Sequence, residues 1–338
     1  MRPTAWPCLL ACALLGLSSG CGAEERKRSG AREAADTELA QAIDASAARH
    51  EREREKQRTT LPPASATRAP ADGSSPAGAP EAPSAPAPHS GSLELLSAAD
   101  RASFSRLATQ LPGDEGVAVS TLGRGRAVAR AGALRTGVAW STAKVPVAMA
   151  AIAAGVAQSQ DLTQAITASD NAAAERLWTA LGAGANAAQA STAQLRGAGD
   201  TQTQVQAQRL RSGFTAFGQT QWALTDQARF AGGMACVAPG RQVLELMGQV
   251  VAGQRWGLGS TASPARFKAG WGPGVTAGAG DGWLDRQMGI LTVGGKPVAV
   301  AMATTAANHE TGIQNLSAIA RWVASHVNAG RAPRDPRC

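Results

Sequence analysis

Three short stretches follow one another in this chain: Ser141-Thr142-Ala143-Lys144, Ser169-Asp170-Asn171 and Lys268-Ala269-Gly270. Between them they carry two alcohols, two amines and an amide. Such groups can run an acyl transfer. One alcohol attacks a carbonyl, an amine takes its proton, the second alcohol relays a proton, and the second amine draws in an anionic group. Serine is a poor nucleophile until a base removes its proton, and an amine among apolar neighbours has a lowered pKa that suits it to that task. Pro146 is tolerated only in the first turn of a helix, which sets a helix start near Ser141. Residues three apart share a helix face, so the Lys144 amine is expected beside the Ser141 hydroxyl. The helix N-terminus offers free N–H groups and positive potential to a developing anion. Asp170 is expected to cap the helix that opens at Asn171-Ala172-Ala173. Gly270, on a strand-like segment, permits a close backbone approach to a ligand. Each stretch has a plainer reading: a helix cap at Ser141, solvated lysines at 144 and 268, a polar loop at 169–171. Ser-x-x-Lys alone is common by chance; the three together in order are not.

The flanking segments say what must position these residues. Leu93 to Leu111 has helical apolar spacing. Val117 to Leu122 and Ala127 to Leu134 read as a hairpin around Gly123-Arg124-Gly125-Arg126. From Ser141 to about Met247 the pattern is Ala-rich and mostly helical, with glycine breaks. Strand patterns return at Arg266–Ala269, Arg286–Val293 and Pro297–Thr305, and an amphipathic helix runs from about Glu310 to Val327. Early and late strands must pair across the helical middle to bury a shared face. The expected architecture is α/β: a five-stranded antiparallel sheet flanked by the terminal helices, plus an all-α subdomain.

The chain has 338 residues, 44% hydrophobic, with a formal net charge of +8. Only Lys144, Lys268 and Lys296 are lysines from residue 93 onward, and two of these lie in the motifs. Without a compact basic run or an aromatic-basic ladder, nucleic acid is not an expected partner. His50, His89, His309 and His326 have no metal-ligand spacing and no C-x-x-C exists, so neither metal nor cofactor is expected. Trp256, Trp271 and Trp283 either line a pocket or fill the core, and core filling is the default for any one of them.

The first residues read as an address. Arg2 precedes an apolar run, Cys8 to Leu17, too short to span a bilayer and suited to a signal-peptide core. Ser18-Ser19-Gly20-Cys21 resembles a bacterial lipoprotein cleavage site, which implies a signal peptide at 1–20, lipid attachment at Cys21 and anchorage to the outer face of the cytoplasmic membrane or cell envelope. An ordinary secretory signal is the alternative, and either exports the protein. Residues 21–92, charged and then rich in Pro, Ala and Ser, read as a disordered tether with a span of about 50 Å. The remaining 93–338 form the folded domain. In an exported domain, Cys236 and Cys338 leave a disulfide and two free thiols both open.

Taken together, the motifs resemble the S-x-x-K, S-D-N and K-T-G set of class A β-lactamases and penicillin-binding proteins. The resemblance covers nearly all of residues 93–338 and implies the serine β-lactamase/transpeptidase fold. It implies an acyl-enzyme at Ser141, formed on a β-lactam or a peptidoglycan-derived amide by a monomeric enzyme. Ser169 would relay a proton toward the leaving group. Asn171 would contact the substrate amide and orient Lys144. Lys268 would attract a carboxylate and tune Ser169. The backbone N–H groups of Ser141 and Trp271 would form an oxyanion hole. The absence of tyrosine argues against the class C-like branch.

Two departures qualify this. Ala269 replaces the hydroxyl residue between Lys and Gly, removing a hydrogen bond to a charged group worth about 1.5–3 kcal/mol. The Glu-x-x-Leu-Asn stretch that activates water in class A enzymes is missing. The carboxylates between Asn171 and Lys268 are Glu175, Asp200, Asp226 and Glu245, and Asp200 is the nearest substitute by position. Slow deacylation is therefore expected. The alternative is a non-hydrolytic penicillin-binding or inactive cell-envelope module of the same fold.

Overall fold

The computed structural model describes residues 94–276, 278, 282–331 and 338. The expected signal peptide, Cys21 and the tether lie outside the described residues. No helix among the described residues is long and apolar enough to cross a membrane.

The first helix, α1 (Ala98–Ala108), begins later than the apolar spacing implies, because a capping box fixes its start. Asp100 N donates to Ser97 Oγ at 3.1 Å, and Ser97 N donates to Asp100 Oδ2 at 2.8 Å, satisfying two N–H groups that the helix itself leaves unpaired. The sheet is built from β1 (Glu115–Thr121), β2 (Val128–Gly132), β5 (Ala265–Pro273), β6 (Trp283–Val293) and β7 (Lys296–Ala306). Its order is β2-β1-β7-β6-β5, antiparallel throughout. The first and last strands pair in the centre, with Val117 opposite Met302. Gly294 and Gly295, both at positive φ, make the two-residue turn from β6 to β7, a conformation that costs glycine little.

Alternation along the strands divides the core. Ala118, Met288 and Ala301 face one buried cluster, shared with the helices of the middle segment. Val117, Val119, Phe267, Val300 and Met302 face a second, shared with Phe104 of α1 and with Leu316, Ile319 and Val323 of the last helix. The middle helices are α2 (Lys144–Ala153), α3 (Ser159–Thr163), α4 (Asn171–Ala180), α5 (Gly184–Gly197), α6 (Leu224–Gly233) and α7 (Ala238–Met247); α8 (His309–His326) closes the chain. Five antiparallel strands with terminal helices on one face and an all-α region on the other match the expected class.

Two local features differ from expectation, and the choice left open for Cys236 and Cys338 falls to a bridge. A two-stranded sheet, β3 (Thr136–Val138) with β4 (Gln221–Ala223), joins the entry of the helical segment to its middle. The helix expected at Ser141 is a 3-10 turn, Trp140–Ala143, that passes into α2 at Lys144. Pro146 sits in the first turn of α2, where its missing N–H is not needed. A disulfide joins Cys236, in a 3-10 turn after α6, to Cys338 across a Cα–Cα distance of 5.2 Å.

Candidate active site

Lys144 and Lys268 are each only 1% exposed, so two amines are buried within one neighbourhood. Lys144 Nζ donates to Asn171 Oδ1 at 2.8 Å and to the Ser169 backbone carbonyl, and it approaches Ser169 Oγ at 3.4 Å. Lys268 Nζ, from the middle of β5, donates to the same Ser169 Oγ at 2.8 Å and to its neighbour's carbonyl, Ala269 O, at 2.9 Å. Residues of all three motifs thus meet around one hydroxyl.

Ser169 can serve both amines because of its backbone. A π-helical turn, Gln164–Ala168, ends in Ser169 at φ 61°, ψ 27°, the left-handed region. Such a conformation costs a non-glycine residue on the order of 1–3 kcal/mol. Asp170 then caps α4, its Oδ1 accepting from Ala173 N at 2.6 Å. The cap leaves Asn171, the first residue of α4, to meet Lys144.

Ser141 enters from another direction. It lies in the Trp140–Ala143 turn, half-buried, and follows Trp140 at φ 47°, also left-handed. No hydrogen bond joins its hydroxyl to another described residue; the Lys144 amine is hydrogen-bonded to Ser169 and Asn171 instead. What brings Ser141 to the other motifs is Gly270. A Cβ on Gly270 would lie 2.8 Å from Ser141 N and 2.9 Å from both Ala139 O and Thr142 N. A Cβ on Gly272 would lie 3.0 Å from the Trp140 indole. The glycines therefore let β5 approach the turn that holds Ser141; the close approach is between two parts of the protein.

Burial dominates the electrostatics. It lowers the Lys144 pKa to about 7, against opposing pulls from the carboxylates of Asp170 and Glu175. It also pushes Lys268 well below the usual lysine range, with Lys144 as a second, like-charged cause. A buried ammonium has lost its water, and two neighbouring ammonium groups repel, so the neutral forms gain.

A brace that the sequence did not disclose runs beneath the turn. Arg286 on β6 is fully buried and donates to Gly137 O at 2.7 Å, Val138 O at 3.1 Å, Trp222 O at 3.2 Å and Gln227 Oε1 at 2.6 Å. Gln227 Nε2 donates in turn to Thr142 Oγ1 at 3.0 Å. The residue following Ser141 is thereby tied to the sheet. Arg286 pairs with Gly270 across the strands, and burial lowers its pKa to about 9. A charged residue at a core-facing position between Leu284 and Met288 was the available signal.

The remaining expected residues are distributed as follows. Trp271 stays next to Gly270 on β5, but its ring lies on the opposite face from Lys268, stacked on His309 at 4.9 Å. Trp256 is buried in the second core with the half-buried Trp271 packed against it, and Trp283 is half-buried. Ala269 is buried in that core as well. Asp200 is not positioned as a free base. It is fully buried, accepting from Trp222 Nε1 at 2.9 Å, Gln202 N at 3.0 Å and Thr203 N at 2.9 Å. Glu175 pairs with Arg209 at 2.8 Å and Asp226 with Arg229 at 2.5 Å. Among the described residues no group of three or more His, Cys, Asp or Glu side chains is arranged to hold a metal ion.

In sequence, neither a family model nor a curated protein matches the chain. In structure it is similar to a β-lactamase from Chitinophaga pinensis DSM 2588, with a TM-score of 0.52 and 16% identity over 67% of this chain and 97% of the other. TLA-3 extended-spectrum β-lactamase gives 0.51 and 12% over 67% and 99%. PBP-A gives 0.51 and 16% over 67% and 95%. The chain has the β-lactamase/transpeptidase-like fold.

Proposed function

We propose that the chain is a serine hydrolase of the β-lactamase-like kind, forming an acyl-enzyme at Ser141 on a β-lactam or related cell-wall amide and releasing it slowly. The observation that carries this reading is the Ser169 hydroxyl held by Lys268 and approached by Lys144, both buried. In the forward step a neutral Lys144 takes the proton from Ser141 Oγ as that oxygen bonds to the substrate carbonyl carbon. Rotation of the Lys144 side chain carries the amine from Asn171 toward Ser141. The carbonyl oxygen becomes an oxyanion, received by the N–H groups of Ser141 and Trp271. The C–N bond then breaks. The departing nitrogen receives a proton from the Lys144 ammonium through the Ser169 hydroxyl, and Lys144 is neutral again. Asn171 and Lys268 hold the substrate's amide and carboxylate.

Hydrolysis needs a water that loses a proton as it attacks the ester carbon, while Ser141 Oγ leaves and regains its own. Of the four carboxylates between Asn171 and Lys268, Glu175, Asp200 and Asp226 are engaged elsewhere, and Glu245 is exposed on α7. That favours accumulation of the acyl-enzyme, and with it the second reading, a penicillin-binding module that acylates without turnover. The full protein is proposed to be an exported monomer, tethered by residues 21–92 to a lipid on Cys21.

Incubation with a fluorescent penicillin and a chromogenic cephalosporin tests this. The expected result is label at Ser141, absent in Ser141→Ala, with little colour. Rapid colour would show an efficient deacylation base. No label and no colour would reject the acyl-enzyme reading for β-lactams.

A further inference from the structure

A second constellation lies on the other face of β5 and β6. Asp285, fully buried, would strand a charge in the interior without partners. It has two. Its Oδ1 lies 2.5 Å from His309 Nδ1, and its Oδ2 accepts from Trp283 Nε1 at 2.7 Å. Gly312, one turn along α8 from His309, makes the room: a Cβ there would sit 2.0 Å from Asp285 Oδ2. Facing a carboxylate, Nδ1 is assigned the proton. His309 Nε2 then makes no hydrogen bond among the described residues, on a side chain that is 31% exposed.

Indoles surround this imidazole. Trp271 stacks on it at 4.9 Å and 17°, Trp256 meets it edge-on at 5.5 Å, and Trp283 is tilted at 6.1 Å. Trp256 is buried, while Trp271 and Trp283 are half-buried. The result is a notch with aromatic walls and one unpartnered polar nitrogen, its orientation fixed from behind by a buried carboxylate.

We propose that this notch binds a neutral saccharide, the apolar face of a sugar ring lying on Trp283 and a hydroxyl bonding to His309 Nε2. The choice follows from the groups present. With the Asp285 carboxylate against Nδ1, the pair carries no net positive charge and gives little pull on an anion. Both Asp285 oxygens are occupied, so a cation does not reach them. A purely apolar partner would cover Nε2 and leave it unsatisfied, at a cost comparable to a lost hydrogen bond. A sugar supplies C–H faces for the rings and hydroxyls for the nitrogen. Trp271 directly follows Gly270, so the notch lies on the strand that abuts Ser141, on its opposite face. The choice of a cell-wall glycan rests on the acyl-enzyme reading; the notch itself does not.

Calorimetric titration of the full chain with N-acetylglucosamine tetrasaccharide tests the proposal, with Trp283→Ala, Trp283→Phe and His309→Gln as variants. Saturable binding is expected at millimolar saccharide, about tenfold weaker in Trp283→Ala and His309→Gln, with Trp283→Phe closer to wild type because a ring face remains. Thermal melting identifies any variant that fails to fold; His309→Gln, on a partly exposed side chain, then decides. Absence of wild-type binding, or wild-type affinity in both Trp283→Ala and His309→Gln, overturns the proposal. Fluorescent-penicillin labelling of the same samples keeps the two readings apart. Label without saccharide binding rejects the notch alone, whereas saccharide binding without label supports the notch and rejects only the β-lactam reading.

Discussion

Lys268 donates a hydrogen bond to the Ser169 hydroxyl across 2.8 Å, joining a strand residue to a turn 99 positions earlier. The relay role proposed for Ser169 depends on that bond, since it orients the hydroxyl beside the amine of Lys144. Ser169→Ala is expected to slow acylation roughly 10²–10⁴-fold, the range for a positioned proton-transfer group, with the fold retained. Time-resolved penicillin labelling measures it. An unchanged rate would remove Ser169 from the proton path.

The acylation rate should rise with pH through about 7 and level off above it, because only the neutral Lys144 amine accepts a proton and burial lowers its pKa to about 7. Glu175 opposes that lowering, so Glu175→Gln should move the midpoint to lower pH. The stability linkage has a definite sign. Between pH 7 and 10.5 the unfolded chain holds a proton on Lys144 that the folded chain does not, so stability at this residue rises with pH across that window. Labelling rates across pH for both proteins decide the first point, and denaturant titrations the second.

Gly270→Ala should be costly despite its small size. The added methyl would meet backbone atoms of residues 139, 141 and 142 at 2.8–2.9 Å, and backbone cannot yield as a side-chain tip does. A loss of about 1–3 kcal/mol is expected from overpacking, with slower labelling because the Ser141 turn is displaced. Chemical denaturation reads the first effect; wild-type stability would show that β5 and the turn are not tightly opposed.

Cys236→Ser should lower stability by up to about 4.7 kcal/mol, the chain-entropy value for a loop of about 100 residues, the bridge spanning 102 positions. Reductant should lower the melting temperature of wild type toward that of the variant and leave the variant unmoved. A wild-type melt insensitive to reductant would mean that the bridge contributes nothing.

Much of the fold was legible because its signals are periodic. Val117–Leu122 and Pro297–Thr305 alternate or run apolar at strand length, and the last helix carries a clear apolar stripe. The motif residues were legible by type and order. What escaped depends on contacts distant in sequence. β3 and β4 are three residues each, and their central pair, Gly137 opposite Trp222, is 85 positions apart. The left-handed backbone at Trp140 and Ser169 has no local glycine to announce it. Lys144 was expected against Ser141 from helical spacing, but the carbonyl of Ser169 and the Asn171 side chain hold its amine instead. Gly270 was read as room for a ligand because strand periodicity does not tell what lies across from a glycine.

The left-handed conformations at Trp140 and Ser169 also bear on when the site comes into being. Neither is a resting shape for its own short segment; each is imposed by β5, α2 or α4 once those have docked. A chain emerging from synthesis, or one partly melted, therefore carries these serines as ordinary alcohols. If Ser141 is acylated as proposed, covalent capture by an acyl donor would count molecules that have completed assembly, and the serine would report maturation.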